Sequence, residues 1–104
     1  MIMRRLFVSQ PMRGKTEDEI IEARDKAIER LSRRLNEGFE VAESYFTEDE
    51  PKDVKNSGVY WLGKSLELLS KCDLALFIGD WWEYRGCRIE REVGRTYGIE
   101  ITEI

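Results

Sequence analysis

The residues best equipped for chemistry lie between Gly79 and Gly98, in the stretch GDWWEYRGCRIEREVGRTYG. Trp81, Trp82 and Tyr84 precede an Arg-Gly-Cys turn, and Glu90 follows in or just beyond the first turn of a helix that Gly86 opens. A carboxylate near a helix N-terminus stays ionised, as a carboxylate nucleophile must. Aromatic rings beside it can stack on a base or other flat ring, or they can cover the end of a sheet or an oligomer interface. Asp80 and Glu83 add carboxylates to the same loop, and Gly94, one turn after Glu90, leaves room for a ligand. The competing reading of Glu90 is an ion pair with Arg88, Arg91 or Arg95, which an isolated glutamate in a charged helix favours. Glu92 stands four residues after Arg88, the spacing of a plain surface pair. Cys87 lies between Arg85 and Arg88 near the helix start, where a thiol pKa can be depressed. Without a partner acid or base, a packed thiol is the better account.

A second capable stretch is Ser9 to Thr16, SQPMRGKT. It lacks only the leading glycine of a phosphate-binding P-loop, where Ser9 stands. Pro11, however, removes an N–H from the cradle that must surround the phosphates. What survives is a loop with Arg13, Gly14 and Lys15 before a helix N-terminus, a setting that suits an anion. An ordinary turn with exposed cations weighs about equally.

The rest of the composition narrows the chemistry. The chain has no histidine, so Ser-His and Cys-His schemes are impossible within it. Acid, base or nucleophile work falls to carboxylates, Tyr, Lys or Cys. The two cysteines, Cys72 and Cys87, make neither a disulfide framework nor a metal-ligand spacing, which fits a reduced cytoplasmic protein. No metal or organic cofactor is called for. The net charge is −4 with both signs mixed along the chain, which argues against binding a nucleic-acid polymer. No apolar run approaches the length of a membrane span, and the first residues read as a strand rather than a leader.

The elements that must position these residues follow from periodicity. The 104 residues suffice for one domain, residues 1–104. Met3 to Ser9 reads as a strand with Leu6, Phe7 and Val8 buried. Thr16-Glu17-Asp18-Glu19 has capping-box spacing and opens a helix that runs to about Glu37 and stops at Gly38. Its stripe is Ile20, Arg24, Ala27, Ile28, Leu31 and Leu35. Phe39 to Ser44 alternates as a second strand. Tyr45 to Gly58 is an acidic loop with Pro51, either a solvated connection or a lid. Val59 to Lys71 is a helix with Trp61, Leu62, Ser65, Leu66, Leu68 and Leu69 on a broad apolar face. Asp73 to Ile78, the most hydrophobic strand, is central. Gly86 to Tyr97 is the last helix, with Ile89, Val93 and Tyr97 inward and Gly98 as its cap. Ile99 to Ile104 closes the chain as a strand.

Alternation of this kind predicts a small α/β Rossmann-like domain with a parallel sheet of about four strands in the flavodoxin-like order 2-1-3-4 and helices on both faces. Strands one and three then lie side by side at the switch point, and ligands bind beyond their carboxyl ends. The loops there are Ser9 to Thr16 and Gly79 to Gly86, the two with the most chemistry.

Two segments resemble the nucleoside 2-deoxyribosyltransferase superfamily, in particular its small bacterial and phage members. The first is Leu6-Phe7-Val8-Ser9-Gln10-Pro11-Met12-Arg13-Gly14, similar to that group's first strand and nucleotide-facing loop. The second is Gly86-Cys87-Arg88-Ile89-Glu90 and its continuation to Gly98, similar to the family's Gly-x-x-x-Glu helix. Tyr60-Trp61-Leu62-Gly63-Lys64-Ser65 adds to the likeness. The resemblance implies that Glu90 attacks the anomeric carbon of a deoxynucleoside or deoxynucleoside 5′-monophosphate, releasing the base and leaving a sugar-enzyme intermediate for a second base or water. It implies Ser9, Arg13 and Gly14 at the sugar or phosphate, Gln10, Met12, Gly86 and Gly94 among the substrate-binding residues, and Trp81, Trp82 and Tyr84 shaping the base pocket. Asp80 and Glu83 would stand in for family aspartates, one of which falls where this chain has Glu83, Tyr84 and Arg85. A homo-oligomer is implied as well. The alternatives are a nucleotide-binding module of the same fold without turnover, a P-loop-like NTPase and a protein-interaction domain.

Overall fold

The computed structural model describes residues 3–44 and 46–104. Four strands form one parallel sheet: β1 (Arg4–Ser9), β2 (Phe39–Val41), β3 (Leu74–Phe77) and β4 (Glu100–Glu103). Their order is β2-β1-β3-β4, as the alternating pattern predicts. Leu6 to Ser9 pairs residue by residue with Leu74 to Phe77, and Leu74 to Phe77 with Glu100 to Glu103. The helices are α1 (Glu17–Leu35), α2 (Ser57–Leu69) and α3 (Arg85–Thr96), with a short 3₁₀ turn at Trp81–Glu83.

The period of two along the central strands sorts the core into two halves. Leu6, Val8, Leu74, Leu76 and Ile78 pack with Ala27 and Leu31 of α1. Phe7, Ala75 and Phe77 pack with Leu69 of α2, while Leu66 and Val93 join from α2 and α3. Thus α1 covers one face, and α2 with α3 covers the other. Both faces of β1 and β3 are buried, which is why those strands read as continuous apolar runs.

Helix α1 starts as the capping box requires. Thr16 Oγ1 accepts from the Glu19 amide at 3.1 Å, and Glu19 Oε1 accepts from the Thr16 amide at 2.9 Å. It stops earlier than Gly38, because Asn36 adopts the left-handed conformation (φ 52°) that asparagine tolerates. β2 is shorter than Phe39 to Ser44. The Ala42 amide still donates to the Leu6 carbonyl, but the Ser44 hydroxyl then takes the Val8 carbonyl at 2.8 Å in place of a ladder bond. Tyr45, the first residue of the acidic loop, lies outside the described residues. Tyr97 is 80% exposed rather than inward, since α3 ends at Thr96 and the chain turns off the helical stripe. Among the described residues no helix is long and apolar enough to cross a membrane.

Candidate active site

The carboxyl end of β1 delivers two buried polar residues in succession, and the strand period sends them to opposite faces. Ser9 turns toward α3, where its hydroxyl donates to Glu90 Oε1 at 2.6 Å. Gln10 turns toward α1, where Nε2 donates to the Ile20 carbonyl at 2.9 Å. That carbonyl accepts only a donor, so the amide is fixed with Oε1 on the other side, where it has no partner among the described residues.

Glu90 and Ser9 lie against a cavity of about 370 Å³ that also holds Gln10, Met12, Phe46, Trp61 and Ser65. Phe7, Val8 and Ser44 complete its walls. Each wall has a local cause. The turn closed by the Lys15 amide on the Met12 carbonyl, with Gly14 at φ 78°, sets Met12 against the cavity and leaves Arg13 and Gly14 exposed at its tip. Trp61 and Ser65 are one helical turn apart on α2, so they share a face. The Phe46 ring stacks on Trp61 with centroids 5.8 Å apart and planes 22° off parallel.

Glu90 is 8% exposed, and it is the charged side chain of this cavity among the described residues. It forms no ion pair with Arg88, Arg91 or Arg95. Arg88 donates to the Trp82 carbonyl, Arg91 pairs with Glu103, and Arg95 pairs with Glu92. Glu92 therefore pairs forward to Arg95 rather than back to Arg88. Burial pushes the Glu90 carboxyl above the usual glutamate range, while hydrogen bonds from Ser9 and Ser65 pull it part of the way back. The sequence reading, in which the helix end keeps Glu90 ionised, is not what the structure gives, because its pKa is shifted up. Glu90 is the sixth residue of α3, beyond the first turn in which the dipole acts. Burial likewise pushes the Cys87 thiol up to about 11, against a smaller opposing effect of Ser9, so Cys87 is a packed thiol and not an activated one.

The aromatic loop sits elsewhere. Trp81 packs its edge against Phe77, with centroids 5.7 Å apart, and carries the Arg91 guanidinium over its ring at 5.0 Å. It closes the end of β3 on the α2/α3 face. Trp82 is 56% exposed and touches Trp81 edge-on. Glu83 and Gly86 are exposed and Tyr84 is half-buried, and none of the three lines the cavity. Gly94 faces β4: a Cβ there would meet Ile101 Cδ1 at 3.0 Å, so the glycine lets α3 approach the strand rather than making space for a ligand. Asp80 lines a different cavity, of about 570 Å³, on the α1 side, where Lys15, Lys26 and Arg30 stand among Glu19 and Glu22. Of the residues expected at one site, Ser9, Gln10, Met12 and Glu90 are together. Phe46, Ser44, Trp61 and Ser65 join them unforeseen as site residues. Their signal was weak: Trp61 and Ser65 lay on an apolar helix stripe, and Phe46 was one aromatic in an acidic loop.

The α1 N-terminus does not offer a phosphate cradle. The Thr16 and Glu19 amides are bonded within the capping box, and Glu17, Asp18 and Glu19 crowd the first turn with negative charge. Among the described residues no three carboxylate or thiol side chains cluster as metal ligands. What the cavity can do is hold a flat, mainly apolar group against Phe46, Trp61 and Met12 and bring a carboxylate to it. No family model, curated protein or solved structure matches the chain.

Proposed function

We propose that the protein cleaves or transfers the N-glycosidic bond of a deoxynucleoside or deoxynucleoside 5′-monophosphate, with Glu90 as the nucleophile. The observation that carries this reading is the buried Glu90 carboxylate on an aromatic-walled cavity, held by the Ser9 hydroxyl instead of by an arginine. A carboxylate of this kind can attack the anomeric carbon as an oxocarbenium-like transition state develops, as in retaining glycoside cleavage. The likeness of the Leu6–Gly14 and Gly86–Gly98 segments to the deoxyribosyltransferase superfamily supports the same chemistry. In this reading Ser9 fixes the rotamer of Glu90, and the stacked pair Phe46 and Trp61 forms one wall against the base. The two free thiols fit a cytoplasmic setting, and a homo-oligomer is part of the proposal through the family likeness.

The test is base release. The protein is incubated with the four deoxynucleosides and their 5′-monophosphates, with and without a second free base, beside Glu90→Ala, and products are followed by chromatography. Release at least about a hundredfold above the variant is expected, the scale on which lost catalytic groups act. Its dependence on the acceptor base separates transfer from hydrolysis. Equal release by both proteins sinks the reading. A second reading, a nucleotide-binding module without turnover, is favoured by one observation: no second carboxylate among the described residues lines the cavity to protonate a departing base. Ligand-dependent thermal stabilisation without release would select it.

A further inference from the structure

Glu90 enters the cavity as a buried carboxylate without a cationic partner among the described residues. The ion pairs around it are all made by other carboxylates: Arg91 goes to Glu103 and Arg95 to Glu92. Among the described residues, the others that line the cavity are Ser9, Ser44, Ser65, Gln10, Met12 and apolar or aromatic residues, none of them charged. Burial without a counter-charge raises the Glu90 pKa, against opposing hydrogen bonds from Ser9 and Ser65, and so shifts the carboxyl toward its neutral form. A neutral carboxylic acid is a poor nucleophile. A neutral nucleoside brings no charge that favours the ionised form. A phosphate would add a second negative charge beside it.

A positively charged base resolves both conflicts. Its charge restores the counter-ion that Glu90 lacks, so a proton held on Glu90 passes to solvent as substrate binds and is taken back when the products leave. Phe46 and Trp61, stacked on each other, line the cavity with aromatic surface that suits a cationic ring, and the Met12 thioether adds a polarizable contact. Such a base also departs without a proton, so no general acid is needed. On the N-glycosidic reading above, we propose that the substrate class of this cavity is an N-glycoside whose base carries a positive charge at the glycosidic bond, such as an N-ribosyl pyridinium or a 7-alkylated purine nucleoside.

The steps balance. A Glu90 oxygen forms a bond to C1′ while the C1′–N bond breaks. The bonding pair goes to the ring, which loses its positive charge and leaves as a neutral base. Water then forms a bond to C1′, the C1′–O bond to Glu90 breaks with its pair returning to the carboxylate, and the proton of the water passes to solvent. The sum is cationic glycoside plus water giving free sugar, neutral base and one proton.

The test compares matched pairs with the intact protein: 7-methylguanosine against guanosine, and N-ribosylnicotinamide against uridine, each as ribo and 2′-deoxy forms. Uncatalysed release is subtracted, with Glu90→Gln as control. A kcat/KM at least about a hundredfold higher for the cationic member is expected, because a missing general acid costs a neutral substrate about 10²–10⁴. In parallel, quenching of tryptophan fluorescence by N-methylnicotinamide is expected to exceed that by nicotinamide and to fall to the same level in Glu90→Gln. Neutral members cleaved as well as cationic ones would overturn the substrate class and leave the glycosidic chemistry standing. Charge-selective, Glu90-dependent binding with no release from any substrate would keep the ligand class and overturn the catalytic reading. Neither release nor selective binding would overturn both.

Discussion

Glu90 shows at the scale of one residue how a site is held against the stability of its fold. A carboxylate whose folded-state pKa is raised binds its proton more tightly in the native state than in the unfolded chain. Stability from this group is therefore greatest below the ordinary glutamate pKa and falls as pH rises through the raised folded value. Glu90→Gln keeps the acceptor for the Ser9 hydroxyl and removes the ionisation. The variant is expected to melt above the parent at pH 7 and to converge with it near pH 4. Each kcal/mol of difference is worth about 4–8 °C in a domain of this size. Thermal melts of both proteins across that range check it. Parallel profiles would mean that Glu90 titrates like an exposed carboxylate. A gain in stability on removing a proposed nucleophile is the usual sign of a residue kept for function.

At the scale of elements, α1 is fixed by its ends as much as by its stripe. The reciprocal bonds of Thr16 and Glu19 satisfy two amides that would otherwise lack partners, and Asn36 turns the chain off at the other end. Thr16→Ala is expected to cost about 1 kcal/mol, read as a lower urea midpoint with an unchanged m-value. An unchanged midpoint would show that water replaces the cap at no cost. The same cap bears on the proposed function. Helix α3 gives the complementary case. Gly94 brings it close to Ile101, which places Glu90, four residues earlier, over the end of β1.

The described fold is expected to unfold as one cooperative unit because β1 and β3 belong to both halves of the core. Leu6 and Val8 face α1 while Phe7 faces α2 and α3, and Leu76 and Phe77 divide in the same way. Loosening one face must disturb the other through the shared backbone. Leu31 is fully buried on the α1 face, whereas Trp61 and Trp81 lie on the far side of the sheet. Leu31→Ala is expected to cost about 2–5 kcal/mol. The lowered melting point is expected to be the same by tryptophan fluorescence as by far-UV circular dichroism. Two separated transitions would show the faces melting independently.

Much of this architecture is local and so was legible in the chain. The capping box, the apolar runs of β1 and β3 and the βα alternation fix strand order and both covered faces, since parallel strands joined by helices admit few arrangements. Topology also fixed Ser9, Gln10 and Met12 at the crevice, because residues at a strand's carboxyl end have nowhere else to go. Tertiary packing decided the rest. An aromatic in a loop covers or stacks according to what lies beneath it, and Phe77 lies beneath Trp81. Phe46 and Trp61 stand 15 residues apart and meet only once α2 rests on the sheet. The charge state of Glu90 depends on how much water surrounds it and on which carboxylates claim the arginines nearby, and both are properties of the assembled fold.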